Sequence, residues 1–229
     1  MNRMLTSAAI AALVAGAFAQ SFIESFENVV ATGTPSSGTL VADQTWTYTN
    51  LSTPVGTVGW FAGNPAVFAA HQGTGYAGVN FNSVAGANLI NNWLFSPVVT
   101  FQNGDQISFY ARQTTGNSFP DRLRLRIGFN GASTDVADYG TILLTINEGL
   151  TGPGFPDTWT EFTAVVTGLT GPTAGRFAFH YDVPDGGPLG TNSNYIGIDT
   201  VSYEAVPEPA TLAALGLGAL AVMRRRRKS

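Results

Sequence analysis

Arg122-Leu123-Arg124-Leu125-Arg126-Ile127-Gly128-Phe129 is the stretch that decides the fold. Its period is two. Leu123, Leu125, Ile127 and Phe129 share one face and Arg122, Arg124 and Arg126 the other, the alternation of a strand with one buried side. A slip of one residue would bury all three guanidinium groups, so the register is tightly specified. The same period recurs outward from this stretch. In Arg176-Phe177-Ala178-Phe179-His180-Tyr181 the aromatic residues face inward and His180 outward, and in Gln106-Ile107-Ser108-Phe109-Tyr110-Ala111 the apolar face is Ile107, Phe109 and Ala111. Candidate strands cover residues 22–28, 45–49, 76–82, 93–101, 106–112, 122–129, 141–146, 160–166, 176–183 and 195–204. Turn-forming clusters separate them, such as Thr34-Pro35-Ser36-Ser37-Gly38, Gln102-Asn103-Gly104-Asp105 and Asp185-Gly186-Gly187-Pro188. Gly and Asn accept a positive φ there and Pro fixes its own. Helical periodicity is nearly absent. Short strands between such turns predict an all-β, two-layer antiparallel jelly-roll sandwich.

Two segments lie outside that domain. At the N-terminus, Arg3 precedes an apolar run over residues 5–18, and Ala17-Phe18-Ala19 forms a small-residue cleavage site before Gln20. This reads as a secretory signal peptide over residues 1–19, cut at Ala17, Ala19 and Gln20 by signal peptidase after passage through the Sec machinery. At the C-terminus, Val206-Pro207-Glu208-Pro209 is followed by 14 apolar or small residues with one Thr, then Arg224-Arg225-Arg226-Arg227-Lys228-Ser229. Pro209 suits the first position of a helix. A 14-residue helix reaches about 21 Å against a hydrocarbon thickness of about 30 Å, so it would span a membrane only by thinning it. The terminal cations would stay on the cytoplasmic side.

Pro-Glu-Pro, a short apolar helix and an Arg cluster, in that order, resemble the PEP-CTERM sorting signal of bacterial exported proteins. The resemblance implies recognition and removal of residues 206–229 by a membrane-embedded exosortase, with the short helix as a transient transmembrane anchor. Residues 20–205 would then form the exported domain, at the cell surface or in the extracellular matrix of a biofilm.

Charge and cysteine content narrow the chemistry. Between Gln20 and Val206 only five Arg face fourteen acids, a net charge near −9 where the whole chain shows −4. That opposes nucleic-acid binding and is compatible with divalent cations. There is no Cys. Disulfides, thiol nucleophiles and thiolate metal sites are therefore excluded, and the core must hold the fold unaided.

A second resemblance spans the domain. Phe22-Ile23-Glu24-Ser25-Phe26-Glu27, Gly59-Trp60-Phe61, Asn92-Trp93-Leu94-Phe95-Ser96-Pro97, Trp159-Thr160-Glu161-Phe162 and Ile196-Gly197-Ile198-Asp199-Thr200-Val201 follow one another in an order similar to the choice-of-anchor J family. That family is related to cleaved-adhesin and MAM-type jelly rolls. The resemblance implies a sandwich whose first and last strands lie together, and structural cations in such domains. Asp199-Thr200 stands where many members carry two acids.

Candidate sites follow. Glu27 and Asn28 end the first strand, and Asp199 interrupts the alternation of the last after Ile196 and Ile198. An acid where an apolar face should continue needs a partner. A Ca²⁺ between Glu27, Asn28 and Asp199 would supply it, and the alternative is that each acid accepts backbone N–H bonds. Asp135, Asp138, Asp182 and Asp185 read as solvated turn formers. Arg122, Arg124 and Arg126 could bind an anionic exopolysaccharide, with Trp46, Trp60 or Tyr48 stacking on sugar rings, or could pair with acids on neighbouring strands. Trp93 and Trp159 read as core. The two histidines, His71 and His180, sit in no catalytic motif, and there is no nucleophile elbow, zinc-protease signature or phosphate loop. The reading is a non-enzymatic surface or matrix protein. A carbohydrate-binding, adhesin-like module and a secreted glycoside hydrolase remain as alternatives.

Overall fold

A computed structural model describes residues 20–207. The signal-peptide residues, the Arg cluster, Glu208, Pro209 and the apolar run of the tail lie outside the described residues.

Two antiparallel sheets make up the domain. One contains β1 (Phe22–Glu24), β5 (Phe61–Ala62), β6 (Ala77–Asn80), β9 (Gln106–Gln113), β12 (Thr160–Val165) and β14 (Tyr195–Glu204). Its order is β12-β9-β14-β6-β5, with β1 also on β14. The other contains β2 (Val30–Thr34), β3 (Ser37–Val41), β4 (Thr45–Asn50), β7 (Asn88–Phe95), β8 (Val99–Phe101), β10 (Leu123–Gly128), β11 (Thr141–Ile146) and β13 (Thr173–Gly186). Its order is β11-β10-β13-β7-β4-β3-β2, with β8 also on β13. The first and last strands are neighbours, Phe22 facing Tyr203 and Glu24 facing Val201.

The register read from the arginine stretch holds. Leu123, Leu125 and Ile127 are buried between the sheets, while Arg122, Arg124 and Arg126 lie on the outer side. β10 ends at Gly128, so Phe129 leaves the inner face, stays 37% exposed and meets Phe101 edge-on. The centre of the core is aromatic. Trp46 packs against Phe22, Phe26, Phe177 and Phe179, with ring centroids 5.5 to 6.4 Å apart. Buried aromatic area of this kind holds a sandwich without disulfides.

Two departures have simple causes. The expected strand over residues 93–101 is split into β7 and β8 by Ser96-Pro97, because Pro cannot donate to a ladder. The β2–β3 hairpin was not expected, since all five residues of β2 are exposed and show no apolar alternation.

Candidate functional site: two outer faces and the root of the tail

Strand β14 buries Ile196 and Ile198, and after Thr200 it buries Val201 and Tyr203 instead. The parity changes at a bulge between Asp199 and Ser202, where Thr200 takes φ 48°. Such a bulge re-aims a side chain. Here it turns Val201 and Tyr203 inward, while Asp199 keeps the outward parity of Gly197 before it and lies fully buried under the segment that follows residue 70. Asp199 Oδ2 accepts the N–H groups of His71 at 2.8 Å and Gln72 at 3.1 Å, and Oδ1 accepts that of Thr200 at 2.6 Å. Glu27 holds the next residues of the same loop. It accepts from Thr74 N–H at 2.8 and 3.1 Å, Gly75 N–H at 3.1 Å and the Thr74 hydroxyl at 2.9 Å. Phe26 and Asn28 turn the chain on either side of Glu27, with φ 51° and 52°. Asn28 therefore contributes a bend at this point.

The two acids form a clamp on residues 71–75, and their environments push them apart. Burial raises Asp199 to about 6, against the lowering pull of its three N–H donors, and the charge of Glu27 pushes it the same way as burial. Glu27 is lowered by the N–H groups of Gly75 and Thr74. Amide dipoles thus stand where the sequence reading placed a cation. Among the described residues no group of three or more His, Asp or Glu is arranged to hold a metal ion.

The clamped loop seals an aromatic layer on this face. Phe68, Tyr76 and Tyr195 pack together with Phe61 and Trp159. They lie so close to the sheet that a Cβ on Gly197 would come within 2.8 Å of Tyr76, and one on Gly78 within 2.8 Å of Phe61. His71, exposed, stacks on Tyr110 with centroids 3.5 Å apart, and its Nδ1 lies 2.9 Å from Thr200 Oγ1. Trp159 donates its indole N–H to Ala69 O at 2.9 Å and is only partly buried.

The outer face of the other sheet is built from full charges. Arg122 and Arg124 each reach Asp182 Oδ2 at 3.1 Å, and Arg124 also reaches Glu148 at 3.0 Å. Arg126 donates to Tyr139 O at 3.2 Å and lies over the Trp93 ring at 5.4 Å. His180 stacks on Trp93 at 3.8 Å, with Nε2 2.9 Å from Asn91 Oδ1. Burial, followed by the charges of Arg126, Arg124 and Arg122, drives His180 down to about 2, so it is neutral.

These placements correct several expectations. Asp182 is not a solvated turn former; it lies in β13, 9% exposed, as the counter-charge of two arginines. The arginine face is not free to hold a polyanion, since each guanidinium is engaged and the side chains of Arg122 and Arg124 are only 12% and 15% accessible. Trp46 and Trp60 are 0% and 1% exposed and Tyr48 is 4%, so none offers a ring to a sugar. Their alternation in β4 is that of an inward face, Trp46 and Tyr48 pointing together into the core. Trp93 is buried, but in a separate cluster with Phe95, Tyr139 and Ala178 on the outer face. His180 does face outward, yet it is covered. Residues 129–139 bring Tyr139 and Val136 over this patch, a tertiary contact that no local pattern encodes.

The root of the sorting tail was missed altogether as a site. Beyond β14, the Ala205 N–H donates to Ser21 Oγ at 3.0 Å and the Val206 N–H to Asp105 Oδ1 at 2.9 Å. Asp105 is fully buried. Its place in Asn103-Gly104-Asp105 signals a turn, and nothing local signals the partner 101 residues away.

Comparison with known proteins agrees with this architecture. Residues 205–228 match the PEP-CTERM protein-sorting motif. A sorting signal of this kind implies an exported protein. No curated protein matches the chain. Among solved structures, the K1 cleaved adhesin domain of Lys-gingipain from Porphyromonas gingivalis is similar over 82% of this chain and 99% of that domain, with TM-score 0.54 and 17% identity. The K2 cleaved adhesin domain of Lys-gingipain is similar over 80% of this chain and 99% of its own, with TM-score 0.52 and 17% identity. At that identity the likeness is one of fold alone, a β-sandwich. Among the described residues no helix is long and apolar enough to cross a membrane.

Proposed function

We propose that this chain is an exported, non-enzymatic β-sandwich protein of the cell surface or extracellular matrix, sorted and processed through its C-terminal tail by an exosortase-type membrane protease. Sec and signal peptidase would act first, at the other end of the chain. One observation carries the reading: the sorting motif starts at residue 205, directly after β14 ends at Glu204, so the whole sandwich is the cargo of the signal. The acids of the domain support the non-enzymatic part. Asp199 and Glu27 are occupied by backbone N–H groups, and Asp182 by guanidinium groups, which leaves neither set as an acid–base pair facing a cleft. The order of motifs similar to choice-of-anchor J domains fits the same cargo role. Intact mass of the protein recovered from its native envelope tests the proposal. Loss of residues 1–19 and of most of the tail is expected, and a mature chain that still carries Arg224 to Arg227 would overturn it.

Binding of exopolysaccharide is the second reading, and one feature favours it. His71 and Trp159 present aromatic surface on the clamped face, in place of the buried Trp46 and Trp60. A His71→Ala, Trp159→Ala double variant should bind matrix polysaccharide less well in a pull-down; equal binding removes this version. A structural Ca²⁺ at Glu27 and Asp199 would have to replace the amides of residues 71–75. It requires a melting temperature that falls with EDTA, and an unchanged one discards it.

A further inference from the structure

The first two residues of the matched sorting motif, Ala205 and Val206, are built into the folded domain. Their N–H groups are already donated, one to Ser21 and one to Asp105. The other oxygen of Asp105 is fixed by the Gln102 N–H at 2.7 Å and by the Tyr203 hydroxyl. Ala205 packs against the main core, and Val206 leans on Gly104, where a Cβ would stand 3.2 Å from Val206 Cγ2. Ser21 precedes β1, Asp105 lies in the turn before β9, and Tyr203 belongs to β14. Parts this far apart in sequence come together only when the sandwich is complete.

A protein that takes a peptide as an added strand recognises it through main-chain hydrogen bonds. Amides already bonded to Ser21 and Asp105 cannot make those bonds. Resting on the proposed reading of the tail as a processed signal, we infer that the fold latches the root of the tail. The folded domain withholds Ala205 and Val206 from the processing site, so the cut falls beyond Val206, and the rate of tail removal depends on how firmly these two residues are held. Ser21 stands two residues into the expected mature chain, so the new N-terminus would help to fasten the segment that is cut last.

Two measurements test this. The first uses the purified full-length chain in detergent and a broad-specificity protease, with the products read by intact mass. Trimming from the C-terminus should halt at residue 206 or just beyond it. In Ser21→Ala the halt should be reached and passed about tenfold faster, the factor given by about 1.4 kcal/mol of lost hold. Trimming through Ala205 from a domain that keeps its parent melting temperature would overturn the latch. The second follows precursor conversion in the native host by pulse-chase. A six-residue Gly/Ser insert between Val206 and Pro207 should speed conversion, and an equal rate would overturn the latch. If neither chain is ever converted, the processing reading fails, and the protease arm still decides whether the root is latched.

Discussion

On the face that carries β14, Asp199 and Glu27 meet the backbone N–H groups of residues 71–75; on the face that carries β10, Asp182 meets the guanidinium groups of Arg122 and Arg124. Both solve one problem, an acid drawn out of water beside a sheet, and they do so with different partners. Amides are dipoles that carry no net charge, so they leave both carboxylates unneutralised, and burial pushes Asp199 up in pKa against the pull of its N–H donors. Guanidinium groups supply whole charges, and the three arginines outnumber Asp182 and Glu148 on the second face, so burial and then this excess of cations suppress protonation of the histidine beside them. The difference teaches where to expect sensitivity to acid. One face binds a proton more readily than the unfolded chain does, the other less readily.

The largest effect should come from Asp182→Ala. It leaves two partly buried cations beside neutral His180 without their shared counter-charge, a loss of about 3 kcal/mol at the lower end of the range for breaking a buried pair, because the side chains keep some solvent contact. Denaturant unfolding measures it, and a loss below about 1 kcal/mol, the range of exposed pairs, would place this face with solvated surface pairs.

Asp199→Ala should cost less, about 2 kcal/mol, since it strands three N–H donors but also removes a buried charge. Its pH dependence separates the faces. The folded pKa of Asp199, about 6, lies above the ordinary value of 3.8 for an aspartate. Between those values the folded chain keeps a proton that the unfolded chain has lost, so this group's contribution falls as pH rises from about 4 to about 6. The cost of Asp199→Ala should therefore be greater at pH 4 than at pH 7. A cost that does not change over that window would break the comparison.

His180 has the opposite sign. Its folded pKa of about 2 lies below the ordinary value of 6.5 for a histidine, so below pH 6.5 the unfolded chain binds a proton that the native site refuses. Stability from this site is therefore lost as pH falls. In His180→Gln that acid loss should be absent, and the parent and the variant should draw together in melting temperature as pH falls from 7 to 5. Parallel curves would contradict the assignment of a neutral, covered imidazole.

The smallest effect should be that of Glu148→Gln. Glu148 is 66% exposed, so its bond to Arg124 should be worth about 0.5 kcal/mol or less and fade further in high salt.

Much of this fold was legible because strands announce their faces. Leu123, Leu125 and Ile127 against Arg122, Arg124 and Arg126 fix one sheet, and the expected span over residues 195–204 coincides with β14. Asp199 does not break the alternation as expected, since it follows Ile196 and Ile198 on the opposite face and the parity changes only at Thr200; the two kinds of partner it could take were legible all the same. Which partner it has depends on a loop 127 residues away in sequence, so local pattern could not decide between amide and cation. Trp46 and Trp60 misled for a related reason. An indole has the same chemistry in a core as on a platform, and only the packing of Phe22, Phe177 and Phe179 around Trp46 decides which. The covering of Trp93 and His180 by residues 129–139, and the capture of Val206 by Asp105, are likewise long-range events without a local signature.

Truncation after Val206 separates the sandwich from the tail, which is proposed to determine its fate after export. Fractionation of a chain truncated after Val206, beside the parent in the native host, tests this most directly. The truncated chain should be exported, melt at the temperature of the mature parent and appear free of the envelope, whereas the parent passes through it. Equal retention of both chains in the envelope would contradict the account.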